Sequence, residues 1–250
     1  MSAHPAILFP DGILPVDKAS DWTSHDVCHF VRKRFHIDKV GHAGTLDPMA
    51  TGLVILLIGR ATKQSGSFTG HDKTYEGFFR LGLKTDSQDR TGKILQEVDA
   101  SKVTLDDVKR VALSFTGNIM QTPPMVSAVK HKGVRLYKLA RQGKEVEREA
   151  RPVPVHEFNI LDKQGDRVQF MMRVTKGTYV RTIAHEIGES LGCFAVLDDL
   201  RRVQSGPFNL TQSVTLDELK QMPPDILRGK IIPLGKLCLV PDAASSGLSQ

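Results

Sequence analysis

The chain has 250 residues, 40 % of them hydrophobic, enough to bury a real core and to exclude wholesale disorder. Its longest apolar run, Leu53 to Ile58, is too short to cross a bilayer, and Met1 to Pro15 has neither a basic leader nor a small-residue cleavage site. A soluble, cytoplasmic protein is therefore expected, and three widely spaced cysteines (Cys28, Cys193, Cys238) form neither a disulfide framework nor a zinc cluster.

Along the chain, Ser24 is placed to cap a helix whose apolar face is Val27, Phe30, Val31 and Phe35. His25 and His29 are four residues apart on it, without a third ligand nearby, and read as an exposed helix face rather than a metal site. A glycine-punctuated stretch, Gly41 to Gly52, leads into a buried-strand candidate, Leu53 to Ile58. Lys73 to Lys84 alternates Tyr75, Gly77, Phe79 and Leu81 and predicts a strand. Thr104 with Asp107 three residues on starts a helix presenting Leu105, Val108, Ala112 and Phe115. Further strands are predicted at Val153 to Leu161 and Val168 to Val174, then a helix from about Thr178 to Leu191 that stops at Gly192. An apolar run, Cys193 to Leu197, precedes the pair Arg201-Arg202.

Between Pro123 and Pro154 lie eight Lys/Arg (Lys130, Lys132, Arg135, Lys138, Arg141, Lys144, Arg148, Arg151) against three acids (Glu145, Glu147, Glu149). This segment supplies +5 of the net charge of +6. Prolines at both borders disfavour regular structure, so it reads as an insertion projecting from the core. Such a local excess of cations is either a polyanion footprint or a solvated helical face. Strands dominate without regular β-α alternation, which predicts an α+β fold built on a mixed, largely antiparallel sheet with flanking helices.

The least ordinary stretch is Gly41-His42-Ala43-Gly44-Thr45-Leu46-Asp47-Pro48-Met49-Ala50-Thr51-Gly52. Its glycines admit positive φ or close backbone approach, and Pro48 keeps Asp47 extended. Asp47 is thus a carboxylate on a constrained loop beside a buried strand, a setting shared by catalytic groups and by ordinary Asp-Pro turns. No dinucleotide or phosphate-loop glycine motif, no G-x-S-x-G elbow and no H-E-x-x-H occurs, so cofactor-dependent and serine-hydrolase readings have no support.

Gly41 to Gly52, continuing to Lys63, resembles the catalytic motif of the TruB family of tRNA pseudouridine synthases. Further segments resemble that family in the same order: Gly12 to Lys18, Asp72 to Glu76, Leu83 to Ser87, Gln121 to Lys130, Tyr137 to Gly143, Lys176 to Ile183, and Leu200-Arg201-Arg202. The resemblance implies isomerisation of uridine to pseudouridine in the T loop of transfer RNA, at tRNA position 55, with no cofactor and no metal. It implies Asp47 as nucleophile, attacking either the ring or the ribose. It further implies Arg181 as the cation beside Asp47, Tyr75 stacked on the target base and close to its C5 proton, and Tyr179 and Leu200 lining the pocket. His42 fills the gap left by the extruded base. The basic segment is then the clamp on the RNA, with Lys130 in it, and Lys18 and Lys63 are further candidates for phosphate contacts.

The family pattern has Pro and Gly where this chain has Ala19 and Asp21. The organisation expected is a catalytic domain over 1–241 carrying the insertion 123–154, a polar tail over 242–250, and a C-terminal PUA-type RNA-binding module absent or truncated. The expected partner is transfer RNA alone, with no membrane, no protein partner and a monomeric state. A dyskerin-like, guide-RNA-dependent synthase and a non-catalytic RNA-folding factor are the competing readings.

Overall fold

The protein is described here by a computed structural model covering residues 8–239 apart from Ala128 and Arg141, with only the backbone of Cys238 and Leu239. The polar tail over 242–250, the Arg141 of the basic segment and the Cys238 thiol lie outside the described residues. Two compact units are present, Met1–Lys73 with Arg201–Gln250, and Thr74–Leu200.

The first unit opens with β1 (Gly12–Lys18), α1 (Ser24–Phe35), β2 (Val40–His42), β3 (Thr51–Ile58) and a short α2 (Ser65–Thr69). β3 is buried from Gly52 onward, which explains a continuous apolar run in place of an alternating one. It runs antiparallel to β1, from Gly12↔Ile58 to Lys18↔Gly52, and to β2 at Val40↔Ile58. Leu53, Ile55 and Leu57 pack with Ile13, Ala43, Ala61 and Phe208 into its core. α1 buries Val27, Cys28, Val31 and Phe35, while Phe30 stays half-buried against Trp22 with ring centroids 5.8 Å apart. Its cap is Thr23, one residue earlier than the sequence pattern suggests. The Thr23 hydroxyl accepts from the Asp26 amide at 3.0 Å, and the Asp26 carboxylate accepts from the Thr23 amide at 2.9 Å. His25 and His29 are exposed.

The second unit contains β4 (Lys73–Leu81, whose first residue closes the preceding unit), β5 (Leu83–Thr85), β6 (Ile94–Glu97), α3 (Leu105–Leu113), β7 (Gly117–Gln121), β8 (Lys130–His131), β9 (Val134–Arg135), α4 (Leu136–Ala140), β10 (Arg151–Gln164), β11 (Arg167–Val174), α5 (Val180–Ser190) and the first half of β12 (Ala195–Ser205). Their order is β12-β4-β11-β10-β7, with β5 and β6 paired separately. β4 alternates as the sequence predicts, burying Tyr75, Gly77, Phe79 and Leu81. Phe79, Phe170 and Phe158 stack in series, with centroids 5.9 and 6.0 Å apart. Thr104 and Asp107 form the expected capping box on α3, which buries Val108 and Ala112. Gly192, at φ 72, follows the end of α5.

β7 and β10 are directly paired, from Val155↔Gly117 to Arg151↔Gln121, so residues 122–150 leave and rejoin the sheet at one point. That is an insertion between neighbouring strands. β10 begins before the expected Val153 and contains Pro152 and Pro154, which were expected to interrupt regular structure. The Pro154 carbonyl accepts from the Thr175 amide at 3.1 Å, on the side away from β7. A strand residue's amide and carbonyl point the same way, so the missing proline amides are not owed to the β7 ladder.

The rest of β12 returns to the first unit and runs parallel to β3 at Thr51 and Gly52. β13 (Phe208–Asn209), β14 (Val214–Thr215), α6 (Leu216–Gln221), α7 (Pro224–Lys230) and β15 (Ile232–Pro233) complete it. β14 is parallel and β15 antiparallel to β1. The sheets are mixed and largely antiparallel with flanking helices, an α+β fold.

Candidate active site

In the first unit Asp47 sits half-buried between Leu46, which is buried, and the exposed Pro48. The loop around it is held by its backbone. Ser24, too late to cap α1, accepts from the Leu46 amide at 2.9 Å and donates to the Leu46 carbonyl. The Pro48 carbonyl accepts from Lys18 Nζ at 3.1 Å and from the Asp21 amide at 2.8 Å. Asp21 reaches it through φ 68, a left-handed conformation that its side chain tolerates in the position of the family's glycine. On the other side the buried Arg202 donates to the carbonyls of Leu53 at 2.6 Å, Gly44 at 3.2 Å and Thr45 at 3.5 Å. Charge-assisted bonds to carbonyls are the stronger kind, and here they fix the path on both sides of Asp47.

Lys18 is fully buried and its Nζ also reaches the Ala19 carbonyl at 2.9 Å. It therefore braces the Asp47 loop from inside. Burial lowers its pKa to about 8, against the Asp21 and Asp47 carboxylates, which hold the ammonium charged. His42 lies half-buried on β2, and burial, with the Arg202 and His25 side chains adding to it, pushes its pKa down. Arg201 pairs with Asp17 at 2.6 Å, and Lys63 is exposed.

In the second unit Tyr75 is buried on β4 and Leu200 on β12. Tyr179 is half-buried at the N-cap position of α5, and the α5 residue Arg181 is buried. Arg181 donates to the Val126 carbonyl at 2.7 Å and stands 3.7 Å from the Asp89 carboxylate. Asp89 is itself buried and accepts from Ser87 Oγ, Thr91 Oγ1 and the Thr91 amide at 2.6–2.9 Å. Sequence alone assigns Asp89, Arg202 and Gln121 no role, because the contacts that matter here, with Arg181, with Gly44, Thr45 and Leu53, and with Tyr179, lie far along the chain. Such a counter-charge offsets the desolvation cost of a buried guanidinium.

On the insertion, Lys130, Lys132, Arg135, Lys138 and Lys144 are exposed, with Lys130 opposite Arg135 in the β8-β9 hairpin. Arg148 and Arg151 are tied down at its base, on the carbonyls of Pro123 at 3.0 Å and Gly177 at 2.8 Å. Tyr137 is half-buried in α4. Among the described residues, no helix is long and apolar enough to cross a membrane.

Residues 32–180 match the family model for the N-terminal domain of TruB family pseudouridylate synthases, and residues 181–237 the model for the tRNA pseudouridylate synthase B C-terminal domain. A tRNA pseudouridine synthase B of Opitutus terrae is 47 % identical over 224 residues, covering 90 % of this chain and 93 % of its own. Another, of Solibacter usitatus, is 42 % identical over 228 residues, covering 91 % and 78 %. Among solved structures, a Cbf5-Nop10-Gar1 complex contains a chain similar at TM-score 0.67 and 27 % identity. The match takes in 93 % of this chain but only 66 % of that one. With two consecutive family models spanning most of its length, the chain belongs to the TruB family of pseudouridylate synthases.

Proposed function

We propose that the chain isomerises a T-loop uridine of transfer RNA to pseudouridine, with Asp47 as nucleophile and the base extruded from the RNA. The observation that carries this reading is the bracing of Asp47. Lys18, Ser24 and Arg202, all buried, hold the backbone on either side of a half-buried carboxylate. Catalytic groups need that kind of fixed first shell.

The reaction breaks the bond from ribose C1′ to N1 and makes one from C1′ to C5. C5 loses a proton, N1 gains one, and the composition is unchanged. Nothing is oxidised, so the chemistry calls for no cofactor. Asp47 forms the covalent bond that retains the pieces while the base turns, and leaves when the new bond closes. Tyr75 stacks on the base and takes the C5 proton, and Tyr179 and Leu200 line the pocket. Arg181, charge-balanced by Asp89, is the cation of the proposed chemistry. His42, kept neutral by its surroundings, occupies the space the base vacates, and Lys130 with its neighbours grips the RNA backbone. The similarity to enzymes named tRNA pseudouridine synthase B, at 47 % and 42 % identity, supports transfer RNA as the substrate, and the proposal takes the chain as a cytoplasmic monomer acting on it alone. Similarity to the Cbf5 chain is much lower.

Tritium release from C5-labelled uridine in a lone transfer RNA transcript tests both points. The wild type should release tritium without a guide RNA or protein partner. Asp47→Asn should release none while binding the transcript about as tightly. Turnover by pure D47N would remove Asp47 from the nucleophile's role.

A further inference from the structure

The base of the insertion is tied to the first turn of α5 by one cross-strand pair. Gln121 and Arg151 face each other in the last rung of the β7-β10 ladder, where the chain leaves the sheet and where it returns. Directly opposed residues of an antiparallel pair project to the same side. Gln121 is almost wholly buried, and its carboxamide makes two bonds to one residue. Oε1 accepts from the Tyr179 amide at 2.8 Å, and Nε2 donates to the Tyr179 carbonyl at 3.1 Å. Arg151 donates to the Gly177 carbonyl at 2.8 Å and lies 5.7 Å from the centre of the Tyr179 ring.

α5 has no side-chain cap. Its N-cap position, usually held by a small polar residue, is taken by Tyr179 in an extended conformation (φ −101, ψ 104). Something else must fix that backbone, and the Gln121 carboxamide does so in the manner of a ladder rung. The insertion also touches the same first turn of the helix through the Val126 carbonyl on Arg181.

We infer that Gln121 is a positioning residue. It sets Tyr179 at the start of α5 and transmits the placement of the RNA-gripping insertion to that ring. The inference rests on the uridine-isomerase reading for what Tyr179 does, but the link is a property of the second unit by itself. RNA drawn onto the exposed lysines pulls on residues 122–150. The first rigid point those residues meet is the Gln121-Arg151 rung.

Single-turnover tritium release and transfer RNA affinity, measured separately, test this. Gln121→Met keeps the length and loses both bonds. Its rate should fall about 10- to 100-fold, the scale of a small misplacement at a reacting centre, with affinity within about twofold. Gln121→Glu supplies one donor and one acceptor while its carboxyl is protonated, and no donor once ionised. Its rate relative to wild type at each pH should approach one in acid and fall as pH rises. A Q121M rate within about twofold of wild type overturns the inference, as does a rate lost together with affinity and thermal stability. Should the wild type release no tritium, the isomerase reading fails by itself. The link is then read by amide exchange at Tyr179 with a T-arm RNA hairpin added. A response in the wild type that is missing in Q121M supports it, and equal responses defeat it.

Discussion

Lys18 is a cation placed where water cannot reach it, braced on the Ala19 and Pro48 carbonyls beside Asp47. Its pKa, lowered to about 8 from 10.5, makes stability depend on pH in a direction that can be worked out. Below pH 8 the lysine is charged whether folded or unfolded, and the folded state bears the whole cost of burying it. Between 8 and 10.5 the folded protein releases the proton while the unfolded chain keeps it, so stability rises with pH. The unfolding free energy of the wild type minus that of Lys18→Met should therefore grow in the wild type's favour from pH 8 to 10. A difference that stays flat over that range contradicts a buried, charged Lys18. Sequence alone could place this lysine in a family motif but not inside the molecule. Its burial depends on Pro48, thirty positions away in the chain, and the contacts of Arg202 with the Asp47 loop and of Asp89 with Arg181 span more still. The Asp47 loop itself was legible, because Pro48 restricts the backbone locally and the glycines admit conformations that other residues avoid.

Periodicity within one element survives folding, which is why β3, β4, α1, α3, α5, β10 and β11 could be read from the sequence. Competition between neighbouring residues does not read as well. Thr23 and Ser24 can both cap a helix, and only the Asp26 side chain and the Leu46 backbone decide that Thr23 caps while Ser24 braces the loop. Gly52 shows an element constrained by its neighbour. At φ 101 it begins the buried part of β3, and a Cβ there would meet the Arg202 backbone within van der Waals contact. No side chain gives way in that clash, because the obstacle is the paired strand. Gly52→Ala should cost at least about 2 kcal/mol in urea unfolding, from backbone strain together with displacement of β12. Tritium release should fall with it, since Arg202 carries the Gly44 and Thr45 carbonyls. A G52A protein as stable as wild type would mean that β3 and β12 can slide apart there without consequence.

Over the whole molecule, residues 123–154 carry +5 of the net charge of +6, and five cations among their described residues are exposed. Another exposed basic group, Arg32, Lys33 and Arg34, occupies the last turn of α1. Cations there already have a task, since they complement the negative end of the helix dipole, and Arg34 also donates to the Lys220 and Met222 carbonyls. Lys130, Lys132 and Arg135 lie outside any helix and Lys138 in the short α4; all four are exposed, and they are the phosphate contacts we propose. Each phosphate contact releases condensed counterions, so replacing these four with Gln should weaken transfer RNA binding at low salt. It should also flatten log affinity against log salt by about 3 in slope. Removing the α1 cations should leave that slope close to wild type. If the α1 replacements flatten it and the insertion replacements do not, the RNA lies against the first unit, and the insertion's charge is only a solvated face.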